Sequence, residues 1–269
     1  MIDWHASKEE WVAEFCVRLV PRLMSDRRFA SSGDLVARFE GSVERWRAGG
    51  KIRQLINDAN ELAAAAALLN VLKQTDVLSY APRLSATRKT LDFLIQGQDG
   101  SRGWIDMKTV APAWNNDDDA WKRLVEIAKG FPSSSQLVIN REFYGAAIGG
   151  QMLNARWTFV QRTIEVEAKA ALLTAQEHGP VRLLLCSAGE WHEDDLEDFS
   201  DFYRTGNFRE DDWAQNAVAR YMGERGLSFT RVLSGFCYLE RRHEEIEARR
   251  LQLDVRGPMM FAPTAYRER

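Results

Sequence analysis

Along the first fifty residues, apolar positions recur three and four apart. Val12, Phe15, Cys16, Leu19, Val20 and Leu23 form one series, and after Ser31-Ser32-Gly33 a second runs through Leu35, Phe39, Val43 and Trp46. That period is the mark of amphipathic helices. Ser7 followed by Glu10 has the form of a capping box for the first helix, Pro21 is expected to kink it, and Gly49-Gly50 is expected to end the second. A longer helix is predicted from about Arg53 to Lys73, with Asp58, Asn60 and Glu61 ahead of the run Ala63 to Ala67. Strong helix formers with so few large side chains suit close packing against a sheet or another helix.

The period then changes. Val77 to Tyr80, Thr90 to Ile95 and Trp104 to Val110 are short runs rich in β-branched and aromatic residues, and read as strands. The last two flank Gly97 to Gly103, whose Asp99-Gly100 pair signals a turn, so they are expected to form a β-hairpin. Beyond it the pattern predicts a helix near Asp119 to Lys129, a strand near Gln136 to Asn140, a glycine-rich loop at Gly145 to Gly150, and a long helix from about Thr163 to His178 stopped by Gly179-Pro180. Val181 to Cys186 reads as a buried strand, Asp212 to Arg225 as a helix, Thr230 to Leu239 as a strand and Arg241 to Arg250 as a solvated helix. A hairpin followed by a helical crossover calls for an α/β fold with a mixed central β-sheet flanked by helices. The expected division is an N-terminal helical extension at 1–50, an α/β core at 51–240 and a charged C-terminal tail packing on the core at 241–269.

The 269 residues are 45% hydrophobic and 28% charged, the composition of a globular protein. The longest apolar run, Leu62 to Leu69, is mostly alanine and far short of the ~20 residues of a membrane-spanning helix. The N-terminus lacks the basic start and apolar stretch of a secretory signal, so a cytoplasmic location is expected. Cys16, Cys186 and Cys237 lie far apart without a CxxC and read as small buried hydrophobes. His5, His178, His192 and His243 show no zinc-ligand spacing. Net charge is −3, but Glu190 to Asp212 holds ten acidic residues against Arg204 and Arg209, a local −8 that leaves +5 for the rest.

The chemistry-bearing pattern is Asp92, then thirteen residues, then Asp106-Met107-Lys108. Residues two apart on a strand share a face, so Asp106 and Lys108 project one way and Ile105 and Met107 the other. The hairpin brings Asp92 beside Asp106, and two carboxylates so placed repel unless a cation or a proton stands between them. A hard divalent cation such as magnesium suits one or two carboxylates, a backbone carbonyl and a phosphate. Held there it activates water, while the lysine steadies developing charge. Glu61, on the preceding helix, can supply a further carboxylate, with Asp58 one turn earlier as its rival.

These residues resemble the PD-(D/E)xK nuclease superfamily, the restriction-endonuclease-like fold. The likeness rests on Leu91-Asp92 for the first acidic element, Asp106-Met107-Lys108 for the (D/E)xK element and an upstream helix bearing Glu61, in the order αβββαβ. It departs from the pattern in having leucine rather than proline before Asp92. The resemblance implies Asp92 and Asp106 as metal ligands, Lys108 as the catalytic lysine, Glu61 as the acidic residue of the first core helix, and Mg2+, or Mn2+ in its place, as cofactor. It implies hydrolysis of phosphodiester bonds, most naturally of DNA, in defence, repair or mobile-element processing.

Arg83, Arg88, Lys89 and Arg102 around the hairpin, and Lys122 and Arg123 beyond it, are candidate phosphate contacts. Gln161, Arg162 and Lys169, on or just before the crossover helix, are further candidates for facing the site. The acidic 190–212 segment would repel DNA and is expected away from the cleft or against a protein partner; a homodimer is a further expectation. A second reading makes the chain a catalytically inactive binding or assembly module of the same fold that acts through that segment.

Overall fold

The computed structural model describes residues 4–85, 87–110, 162–177, 179–187, 233, 235–240, 247 and 250–252. Helix α1 (Trp4–Glu14) runs into a π-helical turn (Phe15–Leu19) and then α2 (Val20–Ser25). Pro21 has no N–H to give the carbonyl four residues back, and the expected kink takes the form of that wider turn, closed by the Val20 N–H on the Phe15 carbonyl. The helix is already running at Trp4, so Ser7 lies inside it and does not cap it. Cys16 faces outward, contrary to its expected burial, because the π-helical turn shifts which residues meet the core; Phe15 and Leu19 do so instead. Cys186 and Cys237 are buried as expected.

Helix α3 (Ser32–Arg47) starts inside the Ser31-Ser32-Gly33 segment and ends as predicted. Gly49 sits at φ 89° and donates to the Trp46 carbonyl, while Gly50 donates to Arg45, the paired bonds of a Schellman cap. Helix α4 (Ile52–Val71) is the centre of the molecule, buried from Ile52 through Leu69 on most of its surface. Its six alanines let α3 and the sheet approach closely. Phe15, Leu19, Leu23, Leu35 and Phe39 from the N-terminal helices, Leu55, Leu62 and Leu68 from α4, and Phe93, Ile105, Met107 and Leu184 from the sheet belong to one hydrophobic cluster.

Among the described residues the sheet has six strands in sequential order: β1 (Val77–Tyr80), β2 (Phe93–Gln96), β3 (Arg102–Val110), β4 (Val181–Ser187), β5 (Gly235–Glu240) and β6 (Arg250–Gln252). β1, β2 and β3 are antiparallel neighbours, β3–β4 and β4–β5 are parallel, and β6 returns antiparallel to β5. The fold is thus mixed α/β, with the hairpin where the Asp99-Gly100 turn predicts it: Gly100 adopts φ 80° and the Gly97 N–H meets the Ser101 carbonyl. Parallel β3 and β4 require a crossover, and residues 162–170 within it are helical. That helix buries Thr163, Val166, Glu167 and Ala170, one face at helical spacing.

Four element readings need correction. β2 begins at Phe93, not Thr90, because Asp92 turns out of the ladder. The helix predicted to reach His178 stops at 170, where Leu172 and Leu173 donate to carbonyls three residues back, and only a 3₁₀ turn (Ala175–Glu177) follows. The strand expected over Thr230 to Leu239 is β5, starting at Gly235. Arg250, expected in a helix, opens β6, where three residues of edge pairing replace helical bonds. The predicted elements at 119–129, 136–140, 145–150 and 212–225, and the acidic segment, lie outside the described residues.

Candidate active site

The register pairs Phe93 with Ile105, so β2 begins there while β3 continues beside β4 to Val110. At this parting of strands Asp92 folds back, and its Oδ2 accepts the Met107 N–H at 2.7 Å. A side chain therefore completes a ladder that the next residue of β2 would otherwise have extended. Ile105 and Met107 face the cluster under α4. Asp106 and Lys108 consequently project from the opposite face, towards helix 162–170.

Asp106 is fully buried and its carboxylate is held from two sides. Lys108 reaches Oδ2 at 2.7 Å, and Lys169 on helix 162–170 donates to Oδ1 at 2.8 Å and Oδ2 at 3.1 Å. Burial works against the Lys108 charge, but Asp106 and Asp92 outweigh it and hold its pKa above the ordinary lysine value, with Glu165 adding to the pull. Asp92 feels burial first and then Asp106, and rises to about 6 in spite of Lys108 and Lys169.

Glu61 approaches from the other face of the sheet. α4 carries it against the end of β1, where the Tyr80 hydroxyl donates to its Oε2 at 2.5 Å. Arg38 of α3 lies 3.2 Å from the same oxygen and 2.9 Å from Asp58 Oδ1, and also donates to the Tyr80 hydroxyl. Burial, then the Asp92 charge, push the Glu61 carboxyl up to about 8 against the pull of Arg38 and Tyr80. Burial and Glu61 likewise raise the Tyr80 hydroxyl well above its ordinary value, which keeps it a donor. Asp58, the rival candidate, is spent on structure: Gln54 donates to it at 2.8 Å and the Ser42 hydroxyl bonds its other oxygen. Two residues on, Asn60 donates to the Thr109 hydroxyl at 3.0 Å and fixes α4 over the far end of β3.

Glu61, Asp92 and Asp106 thus form a series of carboxylates where β2 leaves β3, in which the Asp106 charge raises Asp92 and the Asp92 charge raises Glu61. Of the sequence-predicted quartet, Lys108 and Asp106 are in contact, Asp92 stands close enough for the Asp106 charge to raise it, and Glu61 comes from the opposite face. Arg83, Arg88 and Lys89 are exposed on the loop that joins β1 to Asp92. Arg102 is at the other end of β3 and donates to the Gln176 carbonyl at 2.5 Å, a bond that holds the 3₁₀ turn. Lys122, Arg123 and Gln161 lie outside the described residues. Arg162 pairs with Glu165 at 2.8 Å. Arg38 and Tyr80 escaped the sequence reading because nothing in their spacing ties α3 and β1 to Glu61; only packing does.

The site's donors are hard oxygens, the kind a divalent cation of the magnesium class takes, and such an ion needs only one or two carboxylates with waters and phosphate oxygens. Asp92 and Asp106 fit that demand in type and number. Glu61, from the opposite face, stands behind them, and among the described residues no three His, Cys, Asp or Glu side chains converge as a metal cluster. No helix among the described residues is long and apolar enough to cross a membrane. Comparison with family models, with curated proteins and with solved structures finds no match to this chain.

Proposed function

We propose that the chain is a metal-dependent nuclease of the PD-(D/E)xK kind, built on a restriction-endonuclease-like core from α4 to β5 and acting on the phosphodiester bonds of DNA. The observation that carries this reading is the juxtaposition of buried Asp106 with half-buried Asp92 and Lys108, backed by Glu61, at the opening of two strands. Like charges gathered at the expense of stability are characteristic of sites selected for chemistry. The element order α4, β1, β2, β3, helix 162–170, β4 supports the same reading.

Asp92 and Asp106 would hold Mg2+ or Mn2+, which when bound activates water and offsets the charge of the phosphate under attack. Lys108, oriented by Asp106, is placed to steady the attacking water and the charge growing on the phosphate oxygens. Met107 fixes Asp92 through its backbone N–H, and Ile105 and Met107 anchor the strand in the core so that these side chains keep their spacing. Glu61, held by Tyr80 and Arg38, feels the Asp92 charge and can retain a proton near neutrality.

The test is incubation of the protein with supercoiled plasmid, linear duplex, single-stranded DNA and RNA, each with Mg2+, Mn2+ or EDTA. Cleavage of DNA that requires the metal is the expected result. The inactive-module reading takes support from Asp106, whose two oxygens both meet lysines, and it predicts that every lane stays intact and that Mn2+ titration gives no binding heat.

A further inference from the structure

Lys169 has no part in the chemistry above, yet it contacts both oxygens of the most buried acid of the site. Its ammonium contacts both oxygens of Asp106, at 2.8 and 3.1 Å, from a helix 63 positions away in the chain. Lys108 already neutralises that carboxylate at 2.7 Å. Two ammonium groups on one carboxylate repel each other, and a single structural ion pair does not require the second. Lys169 also differs from Lys108 in setting. Lys108 is fixed to the strand that carries Asp106, whereas Lys169 hangs on a flexible four-carbon stem from the flank of helix 162–170, 23% exposed, one turn from Glu165.

Resting on the nuclease reading, we propose that Lys169 is the resting counter-ion of Asp106: it gives up that carboxylate when a divalent cation binds, and then pairs with a phosphate oxygen of the nucleic acid. Ammonium and metal ion compete for the same two oxygens, so neither binds there at full strength with the other in place. A phosphodiester supplies the anion that the displaced ammonium needs. Metal and nucleic acid therefore favour each other's binding, and by linkage they do so reciprocally. The protein alone holds the metal weakly, and the site assembles on its substrate.

The experiment is calorimetric titration of Mn2+ into the full-length protein, Lys169→Met, Lys169→Gln and Lys169→Arg at low ionic strength. It is repeated with a cleavage-resistant phosphorothioate duplex present. Removing one unit charge next to the ion is expected to tighten Mn2+ binding about tenfold in the Met and Gln variants. The Arg variant should bind as the parent does. The duplex should then strengthen Mn2+ binding to the parent and to Lys169→Arg by a larger factor than to the two neutral variants, where phosphate oxygens act without the displaced ammonium. Equal or weaker Mn2+ binding by both neutral variants would overturn the role of Lys169 and leave the nuclease reading standing. Absence of Mn2+ binding in all four proteins would overturn both.

Discussion

At Asp92 one carboxylate closes the β2–β3 ladder and also stands between two other acids. The first role stabilises the fold, through the 2.7 Å bond from Met107. The second opposes it. An acid whose folded pKa lies above its unfolded value binds its proton more tightly when folded, so its contribution weakens as pH rises through that interval. For Asp92 the interval runs from about 4 to about 6, and for Glu61 from about 4.5 to about 8. Asp92→Asn keeps an acceptor for Met107 and removes the charge. It should be more stable than the parent at pH 8, on the order of 1–2 kcal/mol after allowing for the partial exposure of the carboxylate, and indistinguishable at pH 4. Thermal melts at the two pH values check this; a variant less stable at pH 8 would mean that the charge is compensated in the fold. Tyr80→Phe removes the donor to Glu61 and should cost about 1 kcal/mol, read as a lower unfolding midpoint in urea.

At the level of elements, the segment between helix 162–170 and β4 is held by its own polar bonds and not by helical propensity. The Glu177 carboxylate accepts the Ser85 N–H at 2.7 Å and the Thr174 N–H and hydroxyl at 3.1 and 2.9 Å. The Ser85 and Thr174 N–H groups hold its pKa down near about 2. A depressed acid stabilises the fold above its unfolded pKa and loses that effect as pH falls through its folded value. Glu177→Gln should therefore lower the melting temperature at pH 7 by a few degrees, with the gap closing towards pH 2. Gly179 passes over β3 so closely that a Cβ would lie 2.6 Å from the Arg102 carbonyl oxygen. Gly179→Ala should cost about 1–3 kcal/mol in a denaturant melt, because backbone, not a pliable side chain, must move.

The hairpin was legible in the sequence because an Asp-Gly turn and two β-rich runs act locally, and Asp92, Asp106 and Lys108 followed from strand alternation across it. α4 was legible from its alanines and helical period. Glu177 was not: it lies in a helix-forming stretch, and long-range bonds from Ser85, Arg102 and Trp104 help hold the turn there. β6 is three residues long, too short to show a period. Lys169 could be named as a candidate from its helix, but its grip on Asp106 depends on the crossover bringing that helix over β3.

In the whole molecule, the N-terminal helices and the sheet are one structure. Phe15, Leu19, Leu23, Leu35 and Phe39 are buried in the cluster that contains α4 and the strands, and Arg38 reaches from α3 to Glu61. Burial of each such side chain is worth about 1.5–3 kcal/mol, and a domain's net stability is only about 5–15 kcal/mol. A chain beginning at residue 51 should consequently show no cooperative unfolding transition by circular dichroism, while the full chain shows one.

The carboxylates and lysine at the parting of β2 and β3 are proposed to cleave nucleic acid. The most direct test is DNA cleavage in Mg2+ by the parent beside Lys108→Ala, with melting temperatures measured on the same preparations. Cleavage by the parent that needs Mg2+ and disappears in Lys108→Ala, at a nearly unchanged melting temperature, is the predicted result. Cleavage that survives the substitution would contradict the account.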